Sequence, residues 1–175
     1  MTAAFYNVKK TVMSLVVLLS AVSCIMDKPA GADLTVGDRI PDFTVTMNDG
    51  TEVTGSSLCD GVSVIMFFTT ACPDCRETLP HMQRIYDEYV SQGVRFALVS
   101  REDGAESVSQ YWSEQGYSMP YSAQTDRSIY EMFARTVVPR VYICRGGVIK
   151  IIFTDDPNPD YDALKSGIDS ALYKY

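Results

Sequence analysis

The chain is 175 residues long, 46% hydrophobic and 21% charged, which suits one well-packed domain and little more and excludes a disordered chain. A formal charge of −7 and an isoelectric point near 4.6 argue against a nucleic-acid partner, because a polyanion needs a basic footprint. No internal repeat is visible.

Lys9 and Lys10 precede an apolar run from Thr11 to Leu19, and Ser20-Ala21-Val22-Ser23-Cys24 follows, the charged, apolar, small-residue order of an export signal. The run is too short to span a bilayer. A small residue directly before a cysteine resembles the bacterial lipoprotein cleavage site, although Ala21 stands where that pattern prefers Leu. The resemblance implies cleavage after residue 23 and acylation of Cys24, which would place the protein in the cell envelope, facing the periplasm or on the outer membrane. A plain secretory peptide or a retained anchor is the alternative reading. Residues 24–36, including Asp27, Lys28, Pro29, Gly31 and Asp33, lack apolar periodicity and are expected to be a tether. Residues 37–175 are then the domain.

Phe43-Thr44-Val45-Thr46 and Thr51-Glu52-Val53-Thr54 alternate apolar with polar around Asn48-Asp49-Gly50, which predicts an opening β-hairpin. Val62 to Thr69 is an uninterrupted apolar run with β-branched and aromatic residues, as expected of a central strand covered on both faces. From Arg76 onward, Leu79, Met82, Tyr86, Tyr89 and Val90 recur at spacings of three and four, predicting an amphipathic helix that Gly93 ends. Val94 to Ser100 reads as a second buried strand, and Ala105, Val108, Tyr111 and Trp112 as a helix before Gly116. Asp126 is placed to cap a short helix through Ala134, after which Pro139 interrupts. Arg140 to Cys144 should pair across Arg145-Gly146-Gly147 with Val148 to Phe153. Asn158-Pro159 reads as a cap and first-turn proline for a last helix whose inner stripe is Tyr161, Leu164, Ile168, Ala171 and Leu172. Gly167 should weaken that helix by roughly 1 kcal/mol. A βαβ half followed by a ββα half predicts an α/β fold: a mixed central sheet flanked by helices, with an N-terminal hairpin and a helical insertion.

Cys72-Pro73-Asp74-Cys75 falls where the central strand ends and a helix begins. Unpaired backbone N–H groups and the positive end of the helix dipole favour a thiolate there. Cys72 is therefore the expected nucleophile, and Cys75, one turn further in and shielded, the expected resolving thiol. There is no second C-x-x-C and His81 is the only histidine, so a zinc site lacks its remaining ligands and no metal is expected. A purely structural disulfide is the plainer alternative, since exported proteins use them. Cys59 and Cys144 are expected to be mostly buried spectator thiols, a bridge between them being the alternative. His81 reads as a surface or packing residue, and Trp112 and the tyrosines as packing.

Three stretches, VGDRIPDFTV, VIMFFTTACPDCRETLP and TVVPRVYICRGGVI, resemble the exported, membrane-anchored thioredoxin-like oxidoreductases of the TlpA/ResA type, a thioredoxin-superfamily branch related to the AhpC/TSA group. The resemblance implies a thioredoxin fold and a cis proline at Pro139 facing the cysteine pair, with Val138 presenting backbone groups to an extended substrate. Pro73 and Asp74 lie between the cysteines as supporting residues, and Pro80 matches the proline that kinks the active-site helix. The chain departs from the family pattern at several positions. Ala71 replaces the tryptophan usual before the first cysteine, and Met66 occupies the place of a buried aspartate. Thr78 replaces a frequent glutamate, while Glu77 is one residue off.

Thr69-Thr70-Ala71-Cys72 also fits half of a peroxiredoxin signature, but Ile65 stands where the other half needs proline. A thiol peroxidase using Cys72, or a non-catalytic thioredoxin-fold binding module, are thus the competing readings. The favoured expectation is an enzyme that exchanges disulfides with cysteine-containing exported clients, working as a reductant because Asp74 places negative charge beside Cys72. It needs no cofactor beyond its own Cys72–Cys75 disulfide. It is expected to be a monomer, attached to the membrane by its lipid and supplied with electrons by a membrane partner.

Overall fold

The computed structural model describes residues 31–173. The expected signal peptide and Cys24 lie outside them. The first ordered pair is the expected hairpin, β1 (Thr44–Thr46) against β2 (Glu52–Thr54), with Val45 opposite Val53. A separate four-stranded sheet carries the domain: β3 (Val62–Phe68), β4 (Arg95–Ser100), β5 (Arg140–Arg145) and β6 (Val148–Phe153) in the order β4-β3-β5-β6. β3 runs parallel to β4 and antiparallel to β5, and β6 closes the hairpin with β5. Every residue of β3 is buried, the consequence of helices covering both faces of an apolar strand.

α1 (Pro73–Tyr89) follows β3 directly. Pro73 at the first helical position has no N–H to leave unpaired, and Asp74 in the first turn complements the helix dipole. Pro80 lies inside α1. The helix ends in a short 3-10 turn and Gly93, whose φ of +85° only glycine adopts freely. α2 (Ala105–Gln115) and α3 (Tyr161–Tyr173) complete the helices. Segment 121–123 extends the sheet beyond β4, where Ser100 N–H donates to Ser122 O at 2.9 Å and Ser122 N–H to Leu98 O at 2.8 Å.

Two local expectations change. The short helix from Asp126 shrinks to a 3-10 turn at Tyr130–Met132. Asp126 instead closes an Asx turn by accepting Ser128 N–H at 2.8 Å, and the β-branched Thr136-Val137-Val138 does not extend the turn. The last helix is capped by Asp160 rather than Asn158: Asp160 Oδ1 accepts Ala163 N–H at 2.8 Å. Asn158 is thereby free for a different task. Furthermore, contacts with the domain begin inside the segment expected to be a tether, where Leu34 N–H donates to Phe133 O at 2.8 Å and Asp33 Oδ1 accepts Arg135 N–H at 2.8 Å.

Candidate active site

Cys72 is the N-cap of α1, extended at φ −79° and ψ 123°, and half-buried. Its backbone sits at the join of β3 and α1, with Arg76 N–H donating to Cys72 O at 3.1 Å. Its thiol donates to Val138 O at 3.3 Å across 66 residues of sequence. The Val138–Pro139 peptide is cis, in the form that the resemblance implied. Cys72, Val138 and Pro139 are therefore brought together, with Pro73 and Asp74 in the turn beside them.

Cys75 is 0% exposed. Burial pushes its thiol well above the ordinary range, opposed by a backbone contact at Thr69 and assisted by the neighbouring Cys72. Arg101, further off, favours its thiolate. The pair thus combines an accessible sulfur with a shielded one, the arrangement in which one thiol meets the substrate and the other waits beneath it.

Thr70, two residues before Cys72, is fixed through all three of its polar groups. Its N–H donates to Asp103 Oδ2 at 2.5 Å, its carbonyl accepts from Arg76 Nε at 2.6 Å, and its hydroxyl meets Ser107 Oγ at 3.2 Å. Asp103 comes from the loop after β4, so α1, α2 and that loop hold the strand-to-helix turn jointly. Sequence reading missed Asp103, because nothing local links it to a turn 33 residues away.

Asn158 was also missed. From the loop after β6 it accepts the Thr78 hydroxyl at Oδ1, 2.6 Å away, and donates from Nδ2 to Asp74 O at 3.0 Å and Glu77 Oε2 at 3.3 Å. Thr78 is fully buried and also lies 3.0 Å from Asp74 O. Hence a neutral Thr78–Asn158 pair occupies the place of the family's glutamate and locks the first turn of α1, while the Glu77 carboxylate accepts from Asn158 at the edge of that pair. Met66 is buried in β3, so that position supplies no carboxylate beneath the pair.

His81 lines a surface cavity with Arg84, Asp160 and Tyr161, apart from the cysteines. Cys144 is buried and its thiol is pushed up to about 12, chiefly by burial and then by Cys59. Cys59 is only half-buried and donates to Gly55 O at 3.3 Å. Both are free thiols.

Residues 36–149 match the AhpC/TSA family. Over 121 residues, 68% of each chain, the protein is 23% identical to the thiol-disulfide oxidoreductase ResA of Bacillus subtilis. It is 26% identical over 114 residues to ResA of Oceanobacillus iheyensis, covering 63% of this chain and 59% of that one. Among solved structures it resembles a thiol:disulfide interchange protein of the thioredoxin family from Chlorobium tepidum, with TM-score 0.66, 22% identity, and 81% and 99% of the two chains covered. It is similar also to a thio-disulfide isomerase from Thermus thermophilus, with TM-score 0.63, 24% identity, and 79% and 97% covered. With this sheet order, the cis Val138–Pro139 peptide whose Val138 carbonyl accepts the Cys72 thiol, and the family match over residues 36–149, the chain belongs to the AhpC/TSA family as a thioredoxin-fold oxidoreductase of the TlpA/ResA type.

Proposed function

We propose that the protein reduces disulfides of exported clients through Cys72 and Cys75. The observation that carries this reading is the half-buried Cys72 at a helix N-terminus directly above the fully buried Cys75. The Cys72 thiolate attacks one sulfur of a client disulfide; a Cys72–client disulfide forms, and the other client sulfur leaves as a thiolate that takes up a proton. Cys75 then loses its proton and attacks Cys72 Sγ, which releases the second client thiol and leaves a Cys72–Cys75 disulfide. Two electrons have passed to the client. A dithiol donor at the membrane returns them by the reverse exchange, and no cofactor or metal takes part. Val138 offers its carbonyl, and Pro139 its fixed backbone, beside the sulfur that the client approaches.

Burial of Cys75 supports the two-step order, because a shielded thiol of raised proton affinity reacts only once the mixed disulfide stands next to it. Cys75→Ser is expected to accumulate mixed disulfides with clients and Cys72→Ser to accumulate none, read on non-reducing gels after acid quenching. Equal trapping by both, or insulin reduction by either, overturns the assignment. A peroxidase would instead consume peroxide through Cys72 and form a sulfenic acid there, which the same wild-type preparation tests directly.

Export and acylation at Cys24 complete the reading, supported by the charged and apolar order of residues 9–24. No described helix is long and apolar enough to cross a membrane. Mass spectrometry of the membrane-extracted protein should find acylated Cys24 as the first residue; a mature chain with unmodified Cys24, or another start, removes the anchor from the proposal.

A further inference from the structure

The loop that presents Val138 to Cys72 carries a charge that few proteins leave in such a place. Arg140, directly after the cis proline, is 6% exposed, and its Nε has no hydrogen-bond partner. Burying a guanidinium requires a counter-charge and donors matched to acceptors. The counter-charge is Asp33, from the N-terminal segment: its Oδ2 lies 2.9 Å from Arg140 Nη2. The other oxygen of the same carboxylate accepts Arg135 N–H at 2.8 Å. One side chain therefore holds both ends of residues 135–140, the stretch that contains Val138 and Pro139.

We propose that Asp33 is a positioning residue of the thiol site, stapling the two ends of this loop so that the Val138 carbonyl stays over Cys72. The proposal rests on the thiol-exchange reading of Cys72. Two neighbouring contacts join the same support. Leu34 N–H donates to Phe133 O at 2.8 Å, and the Tyr130 hydroxyl donates to Val137 O at 2.8 Å. Other charged groups near this corner are Arg101, whose guanidinium lies 5.8 Å from the Tyr130 ring centre, Arg127, and the Arg135–Glu131 ion pair at 3.1 Å.

Without the Asp33 carboxylate, Arg140 is a buried cation that keeps the Tyr142 hydroxyl but has lost its counter-charge, and the cheapest relief is for it to swing out and take residues 138–140 with it. Two rates should then move in opposite directions. Reduction of a protein disulfide falls, because the client loses the backbone beside Cys72; displacement of about 1 Å in a reacting pair can cost about 100-fold. Alkylation of Cys72 by iodoacetamide rises, because its thiol no longer donates to Val138 and a small reagent needs no docking loop. General loosening of the fold would also expose Cys75.

The test uses the full reduced chain as wild type, Asp33→Asn, Asp33→Glu and the double variant Asp33→Asn/Arg140→Met. In the double variant both charges are gone, so the fold is spared an unpaired buried cation. Expected are a loss of about tenfold or more in kcat/KM for insulin reduction in Asp33→Asn, faster alkylation at Cys72 alone, partial rescue in Asp33→Glu, and the same opposed shifts in a stably folded double variant. Wild-type values for both rates in the double variant overturn the staple, as does alkylation of Cys72 and Cys75 together. If wild type exchanges no disulfides but the substitutions still raise Cys72 alkylation, the staple stands and the functional reading falls.

Discussion

At Cys75 the absence of solvent has the largest influence on the thiol, and it raises proton affinity. Cys144 is raised to about 12 for the same reason. The consequence for stability has a definite sign. The unfolded thiols ionise near the ordinary value of 9.0, while the folded ones keep their protons to higher pH. Between those limits the native state binds more protons, so stability falls as pH rises, and the contribution is complete only below the unfolded value. Urea unfolding of the reduced protein should therefore show a midpoint flat through neutral pH and declining above about pH 9. Cys144→Ala should flatten part of that decline; an unchanged slope in Cys144→Ala and in Cys75→Ala would show that other groups cause it. In the proposed exchange, the same raised affinity would make the step resolved by Cys75 the one that quickens with alkaline pH.

Gly167 shows why an element has to be judged by what it packs against. As a glycine in a helix interior it should be a weak point, and Gly→Ala ordinarily adds about 1 kcal/mol of helix stability. In the fold, however, a Cβ at this position would stand 2.6 Å from Ile143 Cδ1 and 3.3 Å from Ile151 Cδ1. The glycine is where α3 lies down on the sheet. Because Ile143 is fully buried and its terminal methyl must turn into a filled core, Gly167→Ala is expected to destabilise by about 1 kcal/mol or more through overpacking, measured by chemical unfolding; a gain in stability would mean that the Ile143 methyl turns aside freely. The same distinction separates what the sequence made legible from what it hid. The apolar run of β3, the 3.6-residue period of α1, the Gly146-Gly147 turn and the C-x-x-C at a strand-to-helix join are local signals, and each marks its element without any knowledge of neighbours. Asp33, Asp103 and Asn158 act on residues 33 to 107 positions away. In sequence they are a tether residue, a loop residue and a helix cap, all ordinary places for these side chains. Only closure of the chain turns them into supports for the turn and loop around Cys72.

For the molecule as a whole, the electrostatics of the pair bear on the direction of electron flow. A strong oxidant is one whose reduced form is stabilised by a favoured thiolate, whereas a reductant lacks that stabilisation. Here the residue between Pro73 and Cys75 is the half-buried Asp74, in the first turn of the helix. Its carboxylate adds negative charge to the turn that carries Cys72. The helix N-terminus acts the other way, and Cys75 is stabilised as a neutral thiol rather than as an anion. We therefore expect a potential nearer the about −270 mV of thioredoxin than the about −120 mV of strong oxidants. For this two-electron couple about 30 mV corresponds to about 1.4 kcal/mol, and a partly solvated carboxylate is screened to a fraction of its close-range interaction. Asp74→Asn should accordingly raise the potential by tens of millivolts at most, with the larger change at low salt. Equilibration against dithiothreitol and glutathione, followed by counting free thiols at Cys72 and Cys75, gives both values. A wild-type potential above about −150 mV, or a downward shift in Asp74→Asn, would reverse the direction assigned to the protein and make it a donor of disulfides to its clients.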